Sequence, residues 1–194
     1  MTKPDPNPCK DRIYQGDILR DVEYFESMQE QAGILRIQKI LFPLAIVLTQ
    51  DCDLKWDFAF RTGSQETKDK TLISVLLAPM YNAQHFFRGQ HLSEIYITSR
   101  SFGSKDKSGV THNGHPRYHY VDLPTEVGVV ACVIDFKHYF SSPVVYLEER
   151  KKAAFVCKVA ALYREDISQR FAAFLSRVGL PSEQQSRDDA AQIT

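Results

Sequence analysis

One apolar stretch that ends abruptly in polar residues constrains the fold of this chain more than any other segment. Residues 42–49 are almost entirely apolar, and the β-branched Ile46, Val47 and Thr49 among them favour a buried β-strand. The next four residues, at 50–53, are Gln-Asp-Cys-Asp and place polar and reactive side chains where the strand ends. Because a buried strand holds its own end rigidly, such a position suits a functional site. The pattern is compatible with catalysis, with binding or with a simple turn.

The composition is that of one globular domain without overall charge. The 194 residues are 43% hydrophobic, and 24 basic residues balance 24 acidic ones. This balance gives no support to a strongly basic nucleic-acid binder, although it is compatible with a local basic patch. The sequence has no apolar run of about 18 residues and no apolar N-terminal segment. We therefore expect neither a transmembrane helix nor a signal peptide.

The cysteines predict a reducing environment. They lie at positions 9, 52, 132 and 157, and no two of them form a Cys-X-X-Cys pair. This spacing disfavours a zinc ribbon or a dithiol redox site. Cys132 and Cys157 lie in apolar sequence and are predicted to be buried thiols. A cytoplasmic protein is the natural expectation.

The pattern of polar and apolar residues predicts a single domain with a loose segment at each end. Residues 1–12 and 182–194 are predicted to be flexible tails, which leaves 13–181 as the domain. Apolar runs in the first part of the domain predict short strands joined by short turns, as in a β-meander. Residues 80–94 are predicted to contain a helix. Residues 101–115 are the longest stretch of low hydrophobicity and are predicted to be a loop.

The end of the domain predicts an amphipathic helix over residues 164–179. Apolar side chains recur there at helical spacing and fall on one face, at Ile167, Phe171, Phe174, Leu175 and Val178. Gly179 followed by Pro181 is a helix stop signal. Strands followed by a packed helix predict a mainly β fold with added helices.

Gln50, Asp51, Cys52 and Asp53 are the first candidates for a functional site. Cys52 could be a nucleophile, which requires a thiolate stabilised by a nearby histidine, lysine or helix N-terminus. The two flanking carboxylates oppose this role, because their negative charge disfavours a thiolate. The alternative is a cysteine packed under the strand end, with the aspartates capping a turn.

A metal site is another alternative for the same segment. Asp51 and Asp53 could combine with one or two of the histidines His112, His115 and His119, since carboxylates and imidazoles suit several divalent metals. The spacing matches no usual ligand signature, so solvated loop residues are the simpler interpretation. The prediction is no metal and no other cofactor.

Arg117 and His119 lie in a segment that mixes cations with aromatic residues, His-Pro-Arg-Tyr-His-Tyr at 115–120. On an alternating strand, Arg117 and His119 share one face, while Tyr118 and Tyr120 share the other. A surface of this kind can stack bases and hold phosphates, which makes RNA a candidate partner. The alternative is an ordinary strand with one wet face and one core face.

Three motifs in chain order resemble the MazF/PemK-like family. They are Gln-Gly-Asp-Ile at 15–18, Pro-Leu-Ala-Ile-Val-Leu-Thr at 43–49 and Val-Leu-Leu-Ala-Pro at 75–79. The Gln-Asp-Cys-Asp-Leu segment at 50–54 looks like that of a divergent bacterial branch. The resemblance implies a small SH3-like β-barrel with inserted segments and a C-terminal helix. The better-studied members of the family are sequence-specific endoribonucleases of toxin–antitoxin systems.

Two positions depart from the pattern of those ribonucleases. The family has an arginine directly before the proline of the second motif and a hydroxyl residue directly after the proline of the third. This chain has Phe42 and Met80 there. An arginine stabilises developing phosphoryl charge and assists proton transfer, and neither Phe nor Met can do so. The departure implies that the family's ribonuclease site is absent.

The sequence therefore predicts a non-catalytic barrel that binds protein or RNA in a bacterial toxin–antitoxin, stress-signalling or phage-defence system. The predicted binding residues are Gln50, Asp51, Cys52, Asp53, Arg117 and His119. The expected partner is a protein, either a neighbouring gene product or a second copy, with RNA as a further candidate and no membrane. Two alternatives remain open. One is an endoribonuclease with a relocated site at Arg117 or His119, and the other is a hydrolase or transferase that depends on Cys52.

Overall fold

A computed structural model of the chain describes residues 1–64 and 67–177. In this part of the chain the strands are β1 Asp17–Gln31, β2 Ile34–Val47, β3 Ser74–Asn82, β4 Tyr118–Val121, β5 Cys132–Asp135, β6 Phe140–Pro143 and β7 Phe155–Lys158. The α-helices are α1 Asp51–Thr62, α2 Ala83–Phe87, α3 Ser104–Thr111, α4 Val144–Ala154 and α5 Ala161–Leu175. Among the described residues, no helix is long and apolar enough to cross a bilayer.

The strands form one seven-stranded antiparallel sheet. Its order is β4-β5-β3-β2-β1-β7, and β6 pairs with β3 outside this path. β4 and β7 lie at the two ends, and no pairing within the described residues joins these two strands to close the sheet. The predicted mainly β fold with added helices is confirmed at the level of a mixed α/β protein built on an antiparallel sheet.

β1 and β2 form one long hairpin instead of the several short strands that the sequence predicted. The ladder runs over residues 17–31 and 34–47. Ala32 and Gly33 connect the strands, and both have positive φ (54° and 75°), as a two-residue hairpin turn requires. The polar residues 29–31 belong to β1, because pairing between the strands keeps the backbone extended.

Three apolar cores pack against this sheet, and two of them lie on opposite faces of the paired strands β1 and β2. Successive residues of a strand point to opposite faces, so Ile18 and Ile46 enter the first core while Leu19 and Ala45 enter the second. The first core is covered by α5. The second core is covered by α4 and by Leu54 of α1.

Segments 80–94 and 101–115 differ from their predictions. β3 continues to Asn82, so that the predicted helix is shortened to α2. The predicted loop contains α3, whose Val110 is buried together with Phe102. Phe102 packs against Phe86 with 4.9 Å between the ring centroids. Val110 is the buried residue of this short helix. One buried side chain produces almost no apolar periodicity in the sequence, so the helix was not predicted.

The C-terminal helix is confirmed in the described part of the chain, although it begins at Ala161 rather than at residue 164. Ile167, Phe171 and Phe174 are buried on the face that the sequence predicted, and Leu175 at the end of the helix is half exposed. Val178, the predicted stop signal at 179–181 and the predicted tail at 182–194 lie outside the described residues.

The first residues of the chain lie against the sheet, whereas the sequence predicted a flexible tail over residues 1–12. Pro4 forms an isolated antiparallel bridge with Val159, next to β7. The backbone N–H of Asp5 donates to the carbonyl oxygen of Lys158 at 2.7 Å. The carboxylate of Asp5 also accepts from the Lys158 ammonium at 2.7 Å, and this pair lowers the pKa of Asp5. Backbone pairing, which needs no apolar side chain, positions this segment.

Candidate functional site

The Gln-Asp-Cys-Asp segment forms the N-terminus of α1 rather than a simple turn. Asp51, the first residue of this helix, accepts hydrogen bonds from the Arg12 guanidinium at 3.0 and 3.3 Å. The backbone N–H of Gln15 donates to the same carboxylate at 3.4 Å. Asp51 therefore ties the start of α1 to the N-terminal segment, which is a structural role.

Cys52 is exposed next to this contact. Its thiol donates to oxygens of Gln50 and Asp53, each at 3.6 Å. Among the described residues, no histidine or cation hydrogen-bonds to this sulfur. Cys52 is, however, the second residue of α1, and a helix N-terminus is one of the surroundings that can support a nucleophilic thiol. The Cys52-dependent enzyme therefore stays an open alternative. The binding role of Gln50, Cys52 and Asp53 stays a prediction.

Trp56, one turn further along α1, is 50% exposed. The Lys70 ammonium lies 4.1 Å from its ring centroid. The ring also packs edge-to-face on Phe60. A short helix that buries Leu54 and Asp57 turns this ring outward.

The thiols Cys132 and Cys157 are buried, as predicted. Burial raises the pKa of Cys132 to about 12 and that of Cys157 to about 11. Both therefore stay protonated at neutral pH and act as small apolar side chains.

Arg117 is held by a buried carboxylate. Its Nε donates to Asp135 Oδ1 at 2.7 Å, and Nη2 donates to the other oxygen of the same group. Asp135 is fully buried, and its hydrogen bonds raise the pKa of Arg117. A guanidinium that already satisfies a buried carboxylate is poorly placed to bind phosphate, because release would leave a buried charge unpaired.

His119, which the sequence predicts as a binding residue, is only 3% exposed. Its ring packs near Phe136, and Nδ1 lies 4.0 Å from the Asp166 carboxylate of α5. Burial lowers the pKa of His119 to about 4, so that the ring is neutral at pH 7. α5 covers this face of the sheet, which the local alternation of β4 could not reveal.

The structure does not bring the two groups of predicted site residues together. His119 lies on β4 and Arg117 directly precedes that strand, whereas Gln50 follows the end of β2. In the sheet, β5 and β3 lie between β4 and β2. Three strand spacings correspond to about 14 Å along a sheet. The ligands of the alternative metal site are not brought together either. Within residues 1–64 and 67–177, no three His, Cys, Asp or Glu side chains cluster so that they could hold a metal ion.

A cavity of about 550 Å³ lies beside β2 and β3. Both departures from the ribonuclease pattern, Phe42 and Met80, line it. Aromatic and apolar groups supply most of the remaining surface, and Arg20, His85 and Gln90 add polar groups at exposed positions. We refer to it as the β2–β3 cavity.

Tyr81 lines both the β2–β3 cavity and a second cavity of about 440 Å³. Its hydroxyl lies 3.1 Å from His138 Nδ1, and the same nitrogen lies 3.4 Å from the buried Asp135 carboxylate. Burial raises the pKa of Tyr81 and lowers that of His138. Both groups are therefore neutral at pH 7, and they present hydrogen-bonding groups without charge.

His91 lies on the other side of Tyr81, with 4.8 Å between the ring centroids. Burial lowers the pKa of His91 to about 4. Its buried Nδ1 has no hydrogen-bond partner among the described residues. An unsatisfied polar atom beside a cavity is costly unless water or a ligand supplies the missing hydrogen bond.

Arg20 provides the cationic part of the rim. One guanidinium nitrogen donates to the carbonyl oxygen of Gly128 at 3.2 Å, and the side chain is otherwise exposed. Asn82 caps α2 by accepting from the backbone N–H groups of Gln84 and His85, which fixes His85 beside the cavity. These contacts hold the polar rim in place around an apolar floor.

Sequence reasoning missed Arg20, Tyr81, His91 and His138 as cavity residues. They are distant in the chain. Arg20 lies on β1 and Tyr81 on β3, while His91 and His138 lie in the segments that follow β3 and β5. One signal for the cavity was present in the sequence, because Tyr81 directly follows Met80, which stands where the family has a hydroxyl residue. Neither a protein-family model nor a curated protein matches this sequence.

Proposed function

We propose that this chain is a non-catalytic MazF/PemK-like module that binds single-stranded RNA in the β2–β3 cavity. It would serve in a bacterial toxin–antitoxin, stress-signalling or phage-defence system. The observation that carries the proposal is that Phe42 and Met80 line one cavity. By the resemblance, this is where the family carries its catalytic arginine and hydroxyl residue.

The placement of the three family motifs supports the assignment to this family. Residues 15–18 open β1, and 43–49 and 75–79 contribute to β2 and β3. These strands are neighbours, since Ile18 pairs with Ile46, and Ala45 pairs with Pro79. The proposal therefore treats the sheet as a divergent barrel of this type, in which the site position is retained and the catalytic side chains are replaced.

The chemistry of the cavity supports RNA as the ligand. A volume of about 550 Å³ lies in the range of small-ligand sites. Aromatic side chains such as Phe42 and Tyr81 can contact a base, and Arg20 can contact a phosphate. His91 adds a further ring to the lining of the cavity. Such a site would bind one or two nucleotides of a flexible strand.

The protonation states of two cavity residues support a role without cleavage. General acid–base catalysis works best with groups whose pKa lies near the working pH. Burial moves the pKa of His91 to about 4 and raises that of Tyr81, so neither exchanges protons readily at pH 7. Arg20 can hold a phosphate but cannot act as a base.

Fluorescence anisotropy with a mixed-sequence, 5′-labelled single-stranded RNA tests the proposal. The wild-type chain should bind, and Ser93→Trp should block the cavity from its exposed rim, whereas Ser93→Ala should bind normally. After long incubation with the protein, the RNA should remain intact. A wild type that does not bind, or equal binding by Ser93→Trp and Ser93→Ala, would contradict the proposal. Cleavage that depends on Arg117 or His119 would support the endoribonuclease alternative instead.

A further inference from the structure

The outer part of the β1–β2 hairpin projects from the sheet as a two-stranded arm. β1 pairs with β7 over residues 17–19, and β2 pairs with β3 over residues 45–47. From residue 20 to residue 44, the strand pairing recorded in the described part of the chain joins β1 and β2 to each other alone. An isolated two-stranded ribbon is at best marginally stable in water and needs further packing.

One face of this arm is an apolar strip. Alternate residues of β2 share a face, and the register places residues of β1 opposite them. The strip consists of Phe25, Met28, Leu35, Ile37 and Leu41, which are 50–68% exposed. Lys39, Glu23 and Glu30 lie on the same face, and Lys39 bonds Glu23 at 2.5 Å.

The opposite face is mostly polar in its outer half, where Ile34 next to the turn is an exposed apolar residue. Ser27 donates to the Gln38 side chain across the strands at 2.7 Å, and Arg36 lies opposite Gln29. Towards the base this face becomes apolar, and Tyr24 and Ile40 pack there on the second core. The arm is therefore amphipathic, and its apolar side faces away from the core that covers its base.

We propose that the apolar strip binds the apolar strip of a second copy of this chain, with the two arms antiparallel. This inference does not depend on RNA binding. Each of the five side chains exposes on the order of 100 Å², so two facing strips would bury about 1,000 Å². That area reaches the lower limit of a specific interface without any contribution from the rest of the molecule.

The charges on the strip are self-complementary. In a two-fold arrangement centred on Met28 and Ile37, residues two positions towards the base face residues two positions towards the tip. Lys39 then lies diagonally across the interface from Glu30 of the second copy, one strand spacing to the side, while Met28 and Ile37 meet their own equivalents. A formal net charge of zero on the whole chain places no long-range repulsion between two copies.

Sedimentation analysis and light scattering across a concentration series test the dimer. Ile37→Glu on the strip is compared with Gln38→Glu on the polar face, since both add one carboxylate to neighbouring exposed positions of β2. A wild-type dimer is expected, with a dissociation constant raised at least about 100-fold by Ile37→Glu and little changed by Gln38→Glu. Thermal unfolding monitors the fold, which should survive because Ile37 contacts no core.

A monomeric wild type at high micromolar concentration would overturn the proposal, as would a dimer that is indifferent to Ile37→Glu. Crosslinking tests the arrangement independently. In a chain with Cys9→Ser and Cys52→Ser, Met28→Cys should crosslink two copies with a short bismaleimide, and Gln29→Cys should not. The opposite crosslinking pattern would contradict the antiparallel strips.

Discussion

The ammonium of Lys151 lies 2.8 Å from Asp17 Oδ2, and both side chains are buried. Lys151 also donates to the carbonyl oxygen of Arg12 at 2.6 Å. Asp17 belongs to the Gly-Asp pair of the first family motif, and the backbone N–H of Tyr14 donates to it at 2.8 Å. This pair joins α4 to β1 and to the N-terminal segment, which gives the motif aspartate a structural role.

Lys151→Met should destabilise the protein by about 3–5 kcal/mol, because it leaves the Asp17 carboxylate buried without its cation. Urea unfolding at pH 7 measures the loss. The double variant Lys151→Met/Asp17→Asn should recover a substantial part of it, since no charge then remains buried. A double variant that is no more stable than Lys151→Met would contradict this account.

His119 should make the protein less stable in mild acid. Its pKa is about 4 in the folded state against 6.5 for an ordinary histidine, so the unfolded chain binds more protons between these values. The contribution of His119 to stability is complete above pH 6.5 and is lost progressively as the pH falls towards 4.

The measurement is the free energy of unfolding of the wild type and of His119→Leu at several pH values. The difference between the two should change by up to about 3 kcal/mol across this window. His91 and Asp17 also titrate near this range, but they are common to both proteins and cancel in the comparison. A difference that does not vary with pH would show that His119 is not buried as described.

Two of the four thiols should react in the folded protein. Cys9 and Cys52 are exposed, whereas Cys132 and Cys157 are buried and have raised pKa values. Alkylation followed by peptide mass spectrometry should modify Cys9 and Cys52 at similar rates, and all four thiols after unfolding. A much faster reaction at Cys52 than at Cys9 would support the Cys52-dependent enzyme.

Arg20→Ala should weaken RNA binding about tenfold and reduce the slope of log affinity against log salt by about 0.7, the value of one phosphate contact on a single strand. Arg36→Ala is a matched control, because Arg36 is an exposed arginine of the same hairpin that lies outside the cavity. Anisotropy titrations at several salt concentrations provide both quantities. An equal change of slope in the two variants would place the RNA elsewhere.

The sequence predicted features that depend on local periodicity. The buried face of α5 followed from the spacing of Ile167, Phe171 and Phe174, and the burial of residues 44–47 at the end of β2 followed from the apolar run there. Features that depend on partners distant in the chain were missed. His119 alternates with its neighbours as a surface residue would, and only the packing of α5 across β4 buries it.

The length of the hairpin and the composition of the cavity were missed for the same reason. Outer residues of β1 such as Gln29 and Glu30 have low intrinsic strand preference and are extended because they pair with β2. The cavity combines Arg20 from β1, Tyr81 from β3 and His91 from the segment that follows α2. No local pattern connects three such positions.

Leu41 belongs to both the apolar strip and the lining of the β2–β3 cavity. Two copies joined through their strips would therefore hold two RNA-binding cavities at a fixed separation. An RNA strand bound in one cavity would then meet the second at an effective concentration near the millimolar range. Affinity should consequently rise in a step, rather than gradually, once the RNA is long enough to reach both cavities. The assembly would thus respond to the length of an RNA molecule as well as to its bases.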